Sequence, residues 1–358
     1  MISQKADNEY EAGRGAQYNH PNRFLKGTYI REHVEGVDDW EQEVRKTEFI
    51  YDNSKTIVNE VKSPDVGMAF SANPYQGCEH GCIYCYARNS HEYWGYSAGL
   101  DFESRIIVKK NAPALLRRYF DNRNYEPAVI SLSGNTDCYQ PIERKMRLTR
   151  QMLEICLEYR NPVGIITKNA LILRDLDLLE SLAAQNLVRV YFSVTGTDEK
   201  LRLALEPRTA TYKNRLNVMS ALSAKGIPVG VMNAPIIPGL NDHQMHDVLQ
   251  RAAAAGATTA GYTMVRLNGA IGPIFEDWLR KTFPDRAEKV WNMICSCHAG
   301  NVNDSRFGTR MTGEGNIAEL IRTQFALYCR KFGLNKTSHS LSLDLFRRSK
   351  GGQTFLFD

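Results

Sequence analysis

Three cysteines fall within eight residues, Cys78, Cys82 and Cys85, in the stretch Asn73-Pro74-Tyr75-Gln76-Gly77-Cys78-Glu79-His80-Gly81-Cys82-Ile83-Tyr84-Cys85-Tyr86-Ala87-Arg88. Spacings of four and three put residues on one face of a helix, so three cysteines packed in a core are one reading. The neighbours point elsewhere. Pro74, Gly77 and Gly81 are poor helix residues, and Glu79-His80 interrupts any apolar stripe. A loop that carries three thiols directly after a strand is better explained by metal. Zinc is the chemical rival, but its usual signature is two C-x-x-C pairs or a Cys/His pairing, and no matching second half lies nearby. Three thiolates suit a four-iron cubane with one iron left without a cysteine. Such an iron is a Lewis-acid site for a small chelating ligand.

The rest of the chain must house that loop. Its 358 residues, 43% hydrophobic and 24% charged, fit one large α/β domain with appendages or two ordinary domains. No run of about 18 apolar residues occurs, so no transmembrane helix and no membrane partner are expected. The polar N-terminus has no apolar signal core, which makes a cytoplasmic protein the expectation. Thiols stay reduced in that compartment, so the eight cysteines are not expected to pair. A net charge of +5 is compatible with a nucleic-acid partner without demonstrating one.

Residues 1–65 are polar and studded with aromatics, and read as an extended arm with little regular structure. From about residue 66 short apolar runs alternate with amphipathic stretches. The strand candidates are Met68–Ser71, Ala128–Leu132, Val163–Thr167, Val188–Val194, Pro228–Asn233 and Thr259–Val265. Helical patterns lie between them at Ala112–Phe120, Glu143–Tyr159, Leu171–Ala184, Tyr212–Ala224 and Asp242–Ala255, the last capped by Asn241 and closed by Gly256. Strands alternating with helices imply a parallel sheet with right-handed crossovers. Six units are too few for eight-stranded closure, so an α/β partial barrel is expected over 66–285. Beyond Phe283 the regularity lapses until an amphipathic helix with Ile317, Leu320, Ile321, Phe325 and Tyr328 on one face. Residues 286–358 are therefore read as a C-terminal extension, ending in a basic tail with Lys336, Arg347, Arg348 and Lys350.

C-x3-C-x2-C with an aromatic before the third cysteine resembles the radical S-adenosylmethionine (SAM) superfamily. Further segments resemble its spore photoproduct lyase-like (DNA repair photolyase-related) group. They are Ser133-Gly134-Asn135-Thr136-Asp137, Ile166-Thr167-Lys168, Glu206-Pro207-Arg208 and Pro235 to Asp242. The Gly13-to-Phe24 arm and Asp304 to Gly308 look like an uncharacterised bacterial subgroup. The resemblance implies a partial (β/α)6 barrel and a [4Fe–4S] cluster on Cys78, Cys82 and Cys85. The open iron would chelate SAM, whose reductive cleavage gives methionine and a 5′-deoxyadenosyl radical. It also implies a reductant such as flavodoxin or ferredoxin, and an unassigned substrate for which damaged DNA or another nucleic acid is one candidate and a peptide, tRNA or small molecule stays open.

By position, Ser133, Gly134, Asn135, Thr136 and Asp137 follow the second strand, where the family binds the methionyl end of SAM, or form an ordinary turn. Thr167 and Lys168 end the third strand, at the ligand-bearing rim of such a barrel. Ser193 and Thr195 end the fourth, where the superfamily contacts ribose and carboxylate. Glu206 and Arg208 pair with each other or grip ligand. Asn233 and Pro235 end the fifth, near the expected adenine. Tyr84 and Tyr86 flank Cys85 and match tyrosines that assist radical transfer in spore photoproduct lyase; Tyr84 alternatively packs near the adenine. One departure stands out: the lyase has a cysteine hydrogen donor where this chain has Gly134. Cys138, four residues on, is the remaining candidate donor, or a buried free thiol.

Cys295-Ser296-Cys297-His298 is suggestive of a second metal, or is a reduced thiol pair in a loop. Two function classes follow. One is a radical SAM enzyme, expected to lose SAM cleavage with its cluster cysteines. The other is a non-enzymatic iron–sulfur or zinc protein that binds nucleic acid through its basic tail, expected to show salt-sensitive binding without turnover.

Overall fold

The computed structural model describes residues 10–25, 46–336 and 340–348. Much of the N-terminal arm (1–9 and 26–45) and the end of the basic tail from residue 349, Lys350 included, lie outside the described residues.

The described strands are, in chain order, β1 (Glu48–Asp52), β2 (Val58–Glu60), β3 (Phe70–Ala72), β4 (Tyr75–Gln76), β5 (Arg105–Lys109), β6 (Ile130–Leu132), β7 (Val163–Thr167), β8 (Val188–Ser193), β9 (Val229–Ile236) and β10 (Thr259–Met264). Seven of them form one sheet in the order β10-β9-β8-β7-β6-β3-β2. Six are parallel, and β2 adds an antiparallel edge beside β3. This is the α/β parallel architecture of a partial barrel, and among the described residues it is not closed. The six expected strand–helix units are all present.

The central strands β6 and β7 are short runs of largely β-branched and apolar residues because both of their faces are covered. In β7 all of Val163, Gly164, Ile165 and Thr167 are buried. Helices cover the outer face. Tyr212–Ala224 starts where Thr211 accepts the Asn214 N–H at 3.2 Å, and it buries Val218, Met219 and Leu222.

Several boundaries differ from the sequence reading, each for a physical reason. The arm contains regular structure after all: β1 pairs in parallel with β5, and β5 with β4, in a small second sheet. The expected helix 143–159 breaks at Arg147, which takes a left-handed conformation (φ 53°). Beyond the break, the Glu143 carboxylate accepts the N–H groups of Thr149 and Arg150 and restarts the helix. Asn241 does not cap; its side chain ties the Thr195 and Pro235 carbonyls to the Ile237 N–H. Regularity does not lapse after Phe283, since Ala287–Ser296 is helical. In the helix Gly315–Phe332 the buried residues are Ala318, Ile321, Phe325 and Cys329, while Leu320 is exposed. Among the described residues no helix is long and apolar enough to cross a membrane.

Candidate active site

Parallel strands bring their C-terminal ends to one rim. The loops that follow β3, β6, β7, β8 and β9 therefore meet there. The loop after β3 and β4 carries the three cysteines. All three are free thiols; Cys78 and Cys82 are buried and Cys85 half-buried. The loop turns at Gly81 (φ 67°), where a Cβ would stand 2.7 Å from a carboxylate oxygen of Glu103.

A fully buried ion pair holds this loop from behind. Arg88 donates to the carbonyls of Gly81 and Cys82 at 3.2 and 3.0 Å, and to those of Ala98 and Gly99. Its remaining bond goes to Glu103 at 2.5 Å, with neither side chain exposed. The same carboxylate accepts the backbone N–H groups of Gly15 and Ala16 from the arm, at 3.1 and 2.7 Å. Sequence reasoning missed this strut, because charged residues usually read as surface.

The loop after β6 closes the other side of the cysteines. Asn73 accepts the N–H of Asn135 at 3.0 Å, and Thr136 donates to the Tyr75 carbonyl at 2.7 Å. Asn135 also donates to Gln76 at 2.7 Å. Asp137 accepts the Thr167 hydroxyl and the Lys168 N–H, both at 2.8 Å, and faces His80 at 3.4 Å. Ser133 accepts the Cys138 N–H at 2.8 Å. The side chains expected to meet ligand here are thus committed to joining β6, β7 and the cysteine loop. Burial lowers the His80 imidazole to about 4, despite the Asp137 charge beside it.

At the ends of β7 and β8 lies a buried polar cluster around Glu206. Its carboxylate is bound by Arg215 and by the Tyr84 hydroxyl, and accepts the Thr195 hydroxyl at 3.0 Å. Thr195 in turn bonds Tyr212 at 2.7 Å. Burial alone would raise this carboxyl. The positive charges of Arg215 and Lys168, with hydrogen bonds from Tyr84 and Arg215, overcome that and hold it at about 2. Lys168 is also desolvated, but the field of Cys82, Glu206 and Asp137 keeps its pKa above the usual value. Its ammonium lies 6.0 Å from the Tyr84 ring centroid.

Arg208 is not part of this cluster. The partner of Glu206 is Arg215, on the helix Tyr212–Ala224, and Arg208 turns outward to donate to the Gly13 carbonyl at 3.1 Å. Arg215 was legible in principle. It sits three residues after Tyr212 and three before Val218, on the buried face of that helix.

Tyr86 is 53% exposed, with its hydroxyl on the Gly134 carbonyl at 2.6 Å. Gly134 lies so close to β3 that a Cβ there would be 2.6 Å from the Ser71 Cβ. Cys138 is fully buried in the main core, its N–H donating to Ser133 Oγ and its carbonyl accepting the Thr149 hydroxyl at 2.6 Å. Ser193 is buried and its carbonyl accepts from Arg215 at 2.8 Å. Asn233 donates to the Val194 carbonyl at 2.8 Å, but its Oδ1 is buried without a partner among the described residues. Pro235 follows it, its carbonyl bonded to Asn241.

The donor set fits an iron–sulfur cluster with a chelated ligand. Three thiols share one loop, and a thiolate at Cys78 is disfavoured first by burial and then by the charges of Asp137, Cys82 and Cys85. Such a group of sulfurs needs a cationic centre to ionise. The unpaired Asn233 oxygen is an acceptor awaiting a donor. Cys295 and Cys297 offer no comparable set. Among the described residues no three His, Cys, Asp or Glu side chains already stand around one ion position, the thiols of Cys78, Cys82 and Cys85 included; near Cys295 and Cys297, His298 spends Nε2 on the Val265 carbonyl at 2.8 Å.

The sequence model of the Radical SAM superfamily matches residues 72–252. The chain belongs to the radical SAM superfamily. Members normally bind a [4Fe–4S] cluster and SAM. Uncharacterised proteins of Mycobacterium bovis and Mycobacterium tuberculosis are 34% identical over 218 residues, 60% of this chain and 64% of theirs. The match thus spans less than two thirds of the mycobacterial proteins. A protein of Pseudomonas phage M6 named radical SAM Nalpha-GlyT isomerase is 25% identical over 297 residues, 81% of this chain and 56% of its own. Among solved structures, spore photoproduct lyase complexed with dinucleoside spore photoproduct superposes with a TM-score of 0.59 at 17% identity, over 80% of each chain. That likeness is one of fold, and it agrees with the open barrel of this radical SAM protein.

Proposed function

We propose that this radical SAM protein is an enzyme that abstracts a hydrogen atom from damaged DNA or a related nucleic acid. The observation that carries the reading is the loop of three free thiols at the rim of six parallel strands, beside the buried polar cluster of Lys168, Thr195, Glu206 and Arg215. A pure binding module has no use for polar side chains gathered at the ends of several strands. When bound, the cluster on Cys78, Cys82 and Cys85 and its chelated SAM supply a 5′-deoxyadenosyl radical.

The chain's own residues position and shield. Lys168 keeps a positive charge beside the cysteines, suited to a ligand carboxylate. Asn233 offers its unpaired oxygen to a donor such as an exocyclic amine. Glu206, locked by Arg215 and Thr195, holds the Tyr84 side chain in a fixed position beside Cys85. Tyr86, the exposed phenol next to the third cysteine, is the group assigned to meet the substrate. Cys138 has no part in this reading, because a thiol enclosed in the core cannot reach an external radical.

The choice of nucleic acid rests on the likeness in fold to spore photoproduct lyase and on the net charge of +5. The binding-protein alternative loses its main support. Arg348 donates to the carbonyls of Asn122, Arg123 and Tyr125, so this part of the basic tail is occupied within the fold.

The test supplies ultraviolet-irradiated and intact oligonucleotides to the reduced, reconstituted protein with SAM. Irradiated DNA raising 5′-deoxyadenosine formation, with deuterium from labelled thymine entering that product, supports the assignment. Equal formation with both DNAs and no label transfer rejects DNA damage as the substrate.

A further inference from the structure

The segment Asp304-Ser305-Arg306-Phe307-Gly308 belongs to neither the cysteine loop nor the Glu206 cluster. Its loop leaves and rejoins the end of β10. The Val302 carbonyl accepts the Leu267 N–H at 3.0 Å, and the Met311 carbonyl accepts the Met264 N–H at 2.9 Å. Between those bonds the chain turns on Asp304, whose carboxylate accepts the Arg306 N–H and the Thr309 hydroxyl, both at 2.8 Å. Its far side is fastened to Asp65, in the connection between β2 and β3, by the Gly308 N–H at 2.8 Å and Arg310 Nε at 2.6 Å. β10 and β2 are the two edges of the open sheet, so the loop links them. On this tied-down loop Phe307 is 58% exposed, with the Arg310 guanidinium 4.4 Å from its ring centroid. An apolar ring already fixed in place loses little freedom on meeting a flat partner.

Arg266 stands between the two bonds that join β10 to this loop. It is half-buried and, among the described residues, has no hydrogen-bond or ion-pair partner. The carboxylates whose field reaches it, Asp65 and Asp304, are bonded to Arg310 and Arg306 instead. Burial first, and then the charge of Arg310, push its pKa below the ordinary value, so the guanidinium is short of counter-charge. Its charge also acts on the Tyr86 phenol. Asn89, three residues after Tyr86, donates to the Asn268 carbonyl at 2.7 Å and accepts the Ala270 N–H at 3.1 Å. Arg266 and the loop thus share the rim on which Tyr86 and the third cysteine lie. A cation short of counter-charge beside a rigid exposed aromatic is the combination that binds single-stranded nucleic acid.

Resting on the reading of the substrate as nucleic acid, we propose that Phe307 and Arg266 seat an unpaired strand at this rim. A base flanking the reacting nucleotide stacks on the Phe307 ring, and Arg266 takes a backbone phosphate. Every base has a flat face, so the contact selects an opened strand and not a sequence. Inside a duplex those faces are covered by neighbouring bases, and the strand must be unstacked to reach the ring. A peptide carboxylate would answer Arg266 but leave Phe307 without a flat partner.

The test titrates the reconstituted full chain, without oxygen, with a fluorescein-labelled oligothymidylate, single-stranded or annealed to its complement. Anisotropy is read over a range of salt. The proposal expects the single strand to bind more tightly than the duplex, Phe307→Ala to weaken it about tenfold, and Phe307→Tyr to restore it. Arg266→Ala is expected to weaken binding and to reduce the salt slope by about 0.7, the share of one phosphate on a single strand. Arg266→Gln takes its place if the alanine variant does not fold. A strand carrying 2-aminopurine is expected to be quenched by the native protein and not by Phe307→Ala. Leu327→Ala, which trims an exposed apolar residue on the helix Gly315–Phe332, is expected to bind as the native protein does. Thermal unfolding of each variant separates a lost contact from a damaged fold. Unchanged affinity in Phe307→Ala, or an unchanged salt slope in the Arg266 variant, overturns the proposal and leaves the nucleic-acid reading standing. A native protein that binds neither strand nor duplex overturns both.

Discussion

Arg88 and Glu103 form a 2.5 Å ion pair with neither side chain exposed, and between them they hold the cysteine loop and the N-terminal arm together. Residues 15 and 16, far from the cysteines in sequence, become part of the support of the metal loop. A buried pair of this kind is expensive to break from one side, because the remaining charge is left without a partner.

Replacing Arg88 by Met is therefore expected to lower stability by about 3–5 kcal/mol. It should also lower the iron retained after reconstitution, since two carbonyls of the cysteine loop lose their donor. Denaturant unfolding and the iron-to-protein ratio check both. The double variant Arg88→Met/Glu103→Leu is expected to recover part of the stability but not the iron.

Gly134 and Ser71 give a second prediction. A Cβ at 134 would meet the Ser71 Cβ at 2.6 Å, so Gly134→Ala is expected to cost about 1–3 kcal/mol by overpacking. Adding Ser71→Gly should relieve most of that cost, a coupling that a double-mutant cycle measures. The same contact means that Gly134→Cys does not install a thiol hydrogen donor without moving β3.

Ligand contacts separate two residues that the sequence grouped together. Asn233→Ala is expected to weaken SAM binding about tenfold, the value of roughly one hydrogen bond to a buried acceptor. Arg208→Ala, whose side chain faces outward, is expected to leave it unchanged. Equilibrium dialysis against labelled SAM distinguishes the two.

The Glu206 cluster predicts a pH dependence. Its carboxyl is held at about 2 in the fold, below the ordinary 4.5. The unfolded chain therefore takes up this proton first as pH falls. Its contribution is complete above pH 4.5 and is lost as pH drops from 4.5 towards 2. The stability gap between the native protein and Glu206→Gln is expected to narrow across that range in unfolding measurements.

Much of this was legible in the sequence. The central strands β6 and β7 read as continuous apolar runs because both of their faces are covered, and β7 was found residue for residue. The cysteine loop was visible because its glycines and polar residues fit no helix. The small sheet was not, since it joins β1 to β5 across more than fifty residues and its third member, β4, is two residues long. Arg88, Glu103 and Arg215 escaped because local sequence does not reveal that a charge is buried against a partner far along the chain. Arg208 was misplaced for a related reason. It is two residues from Glu206, yet the fold supplies Arg215 from the next helix as the partner of that acid.

The central claim is that Cys78, Cys82 and Cys85 together support radical chemistry. Anaerobic reconstitution with iron and sulfide, reduction, addition of SAM and quantification of 5′-deoxyadenosine test it most directly. The account predicts 5′-deoxyadenosine from the native protein and none from the triple Cys78, Cys82 and Cys85→Ala variant. A fully loaded, reduced protein that binds SAM but forms no 5′-deoxyadenosine, with or without irradiated DNA, would contradict it.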